Sequence, residues 1–167
     1  MRSQSKGNVH LNSKDYRDKP KVLFNCMSKD QDWQEFRAAV CLTRELFAQD
    51  AFKPYVGVEI SPGTQRQSDD QLNAYLKDAV ESAYHPSCTC KMGSDDMSVV
   101  NGECQVRGIT GLRIVDSSIM PSIVSGNLNA PTVMMAEKAA DIIKGIDALP
   151  ASTVDFYVAD DYQQSQR

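Results

Sequence analysis

The apolar residues Trp33, Phe36, Val40 and Phe47 recur at helical spacing, with Glu35, Arg37 and Arg44 falling between them. That periodicity predicts an amphipathic helix over 29–48, one face buried and the other wet. Ser28, with Gln31 three residues on, has the spacing of a capping box, which would satisfy free amides at the helix start. The same spacing returns at Ser68 and Gln71, ahead of Leu72, Tyr75, Leu76 and Val80, and predicts a second helix over 69–82. Between them, "SPGTQRQ" at 61–67 is a loop by its Pro-Gly pair. Upstream, short β-prone runs at 9–11 and 21–24, separated by turn-formers, predict two strands.

Past the second helix the pattern changes. "SVVNGECQV" at 98–106 sets two β-prone runs around Asn101-Gly102, a hairpin signal because both residues tolerate positive φ. "GLRIVDSSIMP" at 111–121 reads as a buried strand ended by polar residues and Pro121. Asn129 can cap a last helix with Pro131 in its first turn, where a missing N–H does no harm, and Gly145 at its end. Its inner face would be Val133, Ala136, Ala140 and Ile143, and residues 147–167 read as a fraying tail.

At 167 residues the chain has the size of one compact domain. A composition of 41% apolar and 24% charged residues, net charge −4, is that of a soluble globular protein and offers no basic stripe for nucleic acid. No apolar run approaches the roughly 20 residues of a membrane helix, and "MRSQSKGN" lacks the apolar stretch of a signal peptide. Five cysteines, an odd number spread along the chain, point to reduced thiols rather than a disulfide framework.

The densest chemistry lies in "YHPSCTCKMG" at 84–93. As a zinc site it would use His85, Cys88, Cys90 and Cys104, but the single residue between Cys88 and Cys90 is shorter than the usual gap within a ligand pair. As core, Cys26, Cys41 and Cys104 are small buried residues. As catalyst, His85 stands before Pro86 on a rigid, non-helical backbone just past a helix end, where an imidazole can serve as a base.

Three ordered blocks, "HPSCTCKMG" at 85–93, "GLRIVDSSIMP" at 111–121 and "SGNLNAPTVMMAEKAADII" at 125–143, resemble the C-terminal blocks of the glucose–methanol–choline (GMC) flavin oxidoreductases, most of all the choline-oxidising members. The resemblance implies an α+β fold. In it, residues 1–110 form the C-terminal part of the substrate domain, 111–146 the last strand and helix of the FAD domain, and 147–167 a tail. It also implies a reaction in which a base takes the hydroxyl proton of choline while the α-carbon passes a hydride to N5 of FAD, giving betaine aldehyde. The base corresponds to His85. The residue that orients the alcohol oxygen corresponds to Asn127, six positions after Pro121, with Asn129 as the alternative. The cofactor set is then Asp116 and Ser117 toward the ribityl–phosphate region, and Asn129, Ala130, Pro131 and Thr132 at a helix start facing the flavin edge. For Tyr84, beside the base, a quaternary ammonium is a fitting partner, since such a cation is bound by aromatic faces.

None of the nine glycines occurs as G-x-G, the turn that lets backbone amides approach a pyrophosphate. On the family reading the chain is therefore the C-terminal part of a longer enzyme, able to hold the base but not the cofactor, and inactive alone. Apolar faces left bare would favour self-association. The resemblance further implies a respiratory electron acceptor and a place at the cytoplasmic side of the inner membrane or at the mitochondrial inner membrane. A related enzyme for another alcohol and a non-enzymatic zinc module are the other readings.

Overall fold

In the computed structural model, residues 3–147, 149–155 and 157–160 are described. The two upstream runs pair as an antiparallel ribbon, β1 (Asn8–His10) and β2 (Lys21–Leu23), with Val9 opposite Val22. Three helices follow, α1 (Asp30–Phe47), α2 (Asp69–Ala79) and α3 (Asn129–Lys144), with short 3₁₀ turns at Asp50–Phe52 and Ser117–Ile119. Helices and a small sheet stand apart along the chain, the α+β class expected.

The capping box at α2 forms as its spacing predicts. Ser68 Oγ accepts the Gln71 amide at 3.3 Å and Gln71 Oε1 accepts the Ser68 amide at 3.1 Å. The box at α1 does not form. The helix starts after Lys29, while Ser28 Oγ accepts from Asn25 and the Gln31 side chain turns to Glu35. The competing group is Asp32, whose carboxylate draws in the N-terminal arm: Ser3 Oγ at 2.8 Å, the Gln4 amide at 2.8 Å, and the amide and hydroxyl of Ser5.

The buried face of α1 also differs from the periodicity. Phe36 and Phe47 are 40% and 46% exposed, whereas Trp33 and Val40 of the predicted stripe are half-buried, as are Arg37 and Arg44. Arg37 bonds Asn73 and pairs with Asp69 of α2; Arg44 holds Glu59 through two nitrogens at 2.8 and 3.0 Å and also reaches the carbonyls of Gly63 and Arg66. Ion pairs fasten α1 to the loop 59–67 and to α2, and Phe36 and Phe47 stay exposed. On α2, Leu72 and Leu76 are buried.

Beyond α2 the core gathers Val100, Cys104, Ile119 and Ala139, with Met92 and Met135 against it. The Asn101-Gly102 hairpin is a wider turn than predicted. Asn101 Oδ1 accepts the amides of Glu103 and Gln105, and the left-handed residue is Cys104 at φ 63°. Only isolated bridges result, Met92 with Val100, Val100 with Val106, and Gln105 with Arg113.

The stretch 111–121 is not a strand. After the Ile114 amide bonds the Cys104 carbonyl, Asp116 accepts the Ser118 amide at 2.7 Å and closes the 3₁₀ turn. Helix α3 ends at Gly145, whose left-handed φ of 67° suits a residue without Cβ. Its buried face is offset by one residue from the expected one. Ala139 and Met135 face the core, while Val133 and Ile143 are exposed. Ala139 is small enough to let the helix approach Val100 and Ile119. Of the tail 147–167, residue 148, residue 156 and residues 161–167 lie outside the described set; 149–155 and 157–160 form no regular element.

Candidate active site

His85 is partly buried on a loop whose backbone is constrained on both sides. Tyr84 before it takes φ 56°, a left-handed conformation uncommon for a bulky residue, and its amide donates to Ser82 Oγ at 3.1 Å. Pro86 after it fixes its own φ and narrows that of His85. Strained backbone of this kind clusters at functional sites.

The loop is laid against the 3₁₀ turn at 117–119. The amides of Cys88, Cys90 and Met92 donate to the carbonyls of Ser117, Ser118 and Ile119 at 3.3, 3.0 and 2.8 Å. Ser117 Oγ donates to the Pro86 carbonyl at 3.1 Å. Two of the sequence blocks are thus one unit, joined to α3 by the core contact of Ile119 with Ala139.

At the start of α3, Asn127 Oδ1 accepts the Asn129 amide at 2.9 Å. Asn129 itself lies inside the helix, after Leu128, and does not cap it. The turn-forming role is therefore Asn127's, and its two amide hydrogens point elsewhere. Pro131 falls in the first turn as predicted, and the Thr132 amide bonds the Leu128 carbonyl at 3.0 Å. The Ala130 amide has no partner among the described residues, and the first turn carries no acidic side chain. Such a start presents a free donor and the positive end of the helix dipole.

Tyr84 is 84% exposed, open to a ligand face. Asp116 is exposed and spends one oxygen on its own turn. Among the described residues no group of three or more His, Cys, Asp or Glu side chains is arranged to hold a metal ion. Burial pushes the Cys104 thiol up from its ordinary value, as befits a core residue; Cys26 and Cys41, read as core, are exposed. Exposure corrects that assignment. A groove of about 500 Å³ lies between α1 and α2, lined by Trp33, Arg37, Asn73 and Lys77 among others, away from His85.

Residues 3–136 match the family model described as GMC oxidoreductase. The chain belongs to this family. GMC oxidoreductases are FAD-dependent, and the likeness extends through most of the chain. It is 58% identical over 161 residues to an oxygen-dependent choline dehydrogenase of Pseudomonas fluorescens and 57% identical to one of Pseudomonas syringae, covering 96% of this chain in each case. It spans about 28% of the length of those relatives. Among solved structures, a pyridoxine 4-oxidase superposes with a TM-score of 0.81 at 25% identity, covering 88% of this chain and 29% of the oxidase. A fungal aryl-alcohol oxidase gives 0.72 at 33% identity, covering 82% and 23%. Among the described residues no helix is long and apolar enough to cross a membrane.

The Ser117 hydroxyl on the Pro86 carbonyl and the turn geometry of Asn127 were not legible beforehand. A serine beside a strand-end aspartate reads as a turn residue, and no local spacing tells which carbonyl it will find 31 positions away.

Proposed function

We propose that this chain supplies the proton-accepting half of the active site of an FAD-dependent choline dehydrogenase, as the C-terminal part of a longer polypeptide. The supporting observation is the hydrogen-bonded seating of the His85 loop on the 117–119 turn, itself in one core with α3. His85 accepts the hydroxyl proton of choline on a ring nitrogen; its imidazole has no hydrogen-bond partner among the described residues to compete for that proton. Asn127 donates an amide hydrogen to the alcohol oxygen, since its own oxygen is occupied by Asn129. Tyr84 offers its ring face to the trimethylammonium group.

The residues fit part of FAD. The Ala130 amide and the acid-free first turn of α3, with Asn129, Pro131 and Thr132, suit the electron-rich edge of the flavin, and Asp116 is carried over for the ribityl–phosphate region. When bound, the flavin supplies the hydride acceptor. Nothing here suits the pyrophosphate, because G-x-G is missing. Residues 1–110 then belong to the substrate domain and 111–146 to the FAD domain, and the isolated chain is inactive. The relatives' designation as oxygen-dependent favours oxygen over a respiratory carrier as final acceptor.

The test is a titration with FAD, followed by flavin fluorescence, of this chain and of a version extended upstream by a flavin domain. Only the longer protein should bind FAD and be bleached by choline. Tight binding by the 167-residue chain would overturn the claim that the glycine turn is required.

A further inference from the structure

We propose that Ser117 is the positioning residue of the general base, an inference that rests on His85 having that role. Three backbone bonds lay the His85 loop on the 117–119 turn, and they lengthen toward the base: 2.8 Å at Met92, 3.0 Å at Cys90 and 3.3 Å at Cys88. The well-made end is anchored by Ile119, which is 2% exposed in the core. The other end runs out just where His85 needs a fixed place. Pro86 has no N–H to add a fourth rung, so only its carbonyl can be held. Ser117 Oγ donates to it at 3.1 Å, on the residue next after the base.

The ring itself has no partner that could orient it among the described residues, so its direction is inherited from the backbone of 84–86. That backbone is bounded by left-handed residues, Tyr84 at φ 56° and Cys88 at φ 69°. Tyr84 is tied locally to Ser82, and among the described residues the side chain from outside the loop that bonds the stretch between these corners is the Ser117 hydroxyl. Asp116 completes the device by closing the turn on which Ser117 stands, through the Ser118 amide at 2.7 Å.

The experiment is stopped-flow reduction of the flavin by choline in the full-length flavoprotein, with Ser117→Ala, Ser117→Thr, His85→Ala and the His85→Ala/Ser117→Ala double variant. Loss of one neutral hydrogen bond that places the base should lower the limiting reduction rate of Ser117→Ala roughly five- to tenfold. The Kd for choline should stay within about twofold, because the groups that hold the ammonium are untouched. Threonine, which keeps the hydroxyl, should recover the rate. In the His85→Ala background, Ser117→Ala should cost nothing further, since there is no base left to place.

An unchanged rate in Ser117→Ala, a loss carried wholly in choline affinity, a threonine variant no better than alanine, or a loss that persists in full without His85 would each overturn the positioning role. A slow His85→Ala protein beside a normal Ser117→Ala protein sinks only this inference. A His85→Ala protein that reduces its flavin at the wild-type rate sinks the base assignment itself.

Discussion

Substituting Asn127 by aspartate should separate the two tasks of that side chain. Its oxygen accepts the Asn129 amide at 2.9 Å at the start of α3. Its amide group is the donor assigned to the alcohol oxygen. A carboxylate keeps the acceptor and adds negative charge to a helix start with no acidic residue in its first turn. That is worth about 0.3–1 kcal/mol to the folded state at low salt. The same change removes the N–H donors and sets a charge against an oxygen that is becoming negative. One donor aimed at a developing oxyanion carries about 10²–10³ in rate. Asn127→Asp should therefore hold or raise the midpoint of urea unfolding while choline-driven flavin reduction falls about 10²–10³. Asn127→Ala loses both functions, with stability down by about 0.5–1.5 kcal/mol, the net worth of one hydrogen bond. Stopped-flow reduction and equilibrium unfolding of the same preparations measure the two axes. If Asn127→Asp reduces flavin within about threefold of wild type, no donor is needed at that position and the assignment fails. If it is destabilised as much as Asn127→Ala, the capping role fails instead.

Asp32 is 2% exposed and anchors the arm 3–5 through charge-assisted bonds. Asp32→Ala should cost about 1.5–3 kcal/mol and speed hydrogen exchange at the Gln4 and Ser5 amides; unaltered exchange would refute the anchoring. Burial pushes its carboxyl up, but the hydrogen bonds from Ser5, Gln4 and Ser3 outweigh this and hold it below the ordinary 3.8. The group's stability is then fully present above that value and lost as pH falls through the lower folded-state value, an acid limb that Asp32→Asn should abolish. Tyr84→Leu should weaken choline binding about 2- to 30-fold, the span of a 0.5–2 kcal/mol cation–π contact, and leave the uncharged analogue 3,3-dimethylbutan-1-ol unaffected. Equal weakening of both ligands would show that the ring acts by packing alone.

The contrast between two identical spacings shows what the sequence could reveal. Ser68 and Gln71 form their capping box, with the Gln67 amide sharing Gln71 Oε1. Ser28 and Gln31 do not, since Ser28 Oγ accepts from Asn25 and the Gln31 side chain donates to Glu35, while Asp32 next door holds Ser3, Gln4 and Ser5 from more than twenty residues upstream. Helices α1, α2 and α3 were legible as elements, since their periodicity is local. On α2 the buried face was legible as well, with Leu72 and Leu76 buried and Tyr75 and Val80 half-buried; on α1 it was legible only in part, since Trp33 and Val40 are half-buried but Arg37 and Arg44 find Asp69 and Glu59, partners that hydrophobic pattern ignores. On α3 the deciding factor is the size of Ala139, which permits close approach and turns the helix by one position from the pattern's reading. The strand expected at 111–121 is cut down to one bridge, Gln105 with Arg113, and Asp116 then turns the chain by accepting the Ser118 amide. Of the candidate site residues, His85 drew notice by its proline, whereas Asn127 was reached only through the family resemblance. The hydroxyl that ties Ser117 to Pro86 depends on a fold-dependent meeting and carried no signal of its own.

The most direct test of the account is the rate of flavin reduction by choline in the full-length protein with His85→Ala, measured against pH beside wild type. The variant should keep its flavin and its affinity for choline, and reduce the flavin about 10²–10⁴-fold more slowly across the pH range. A variant that reduces its flavin as fast as wild type at every pH would show that another group takes the proton, and the reading built on His85 would be wrong.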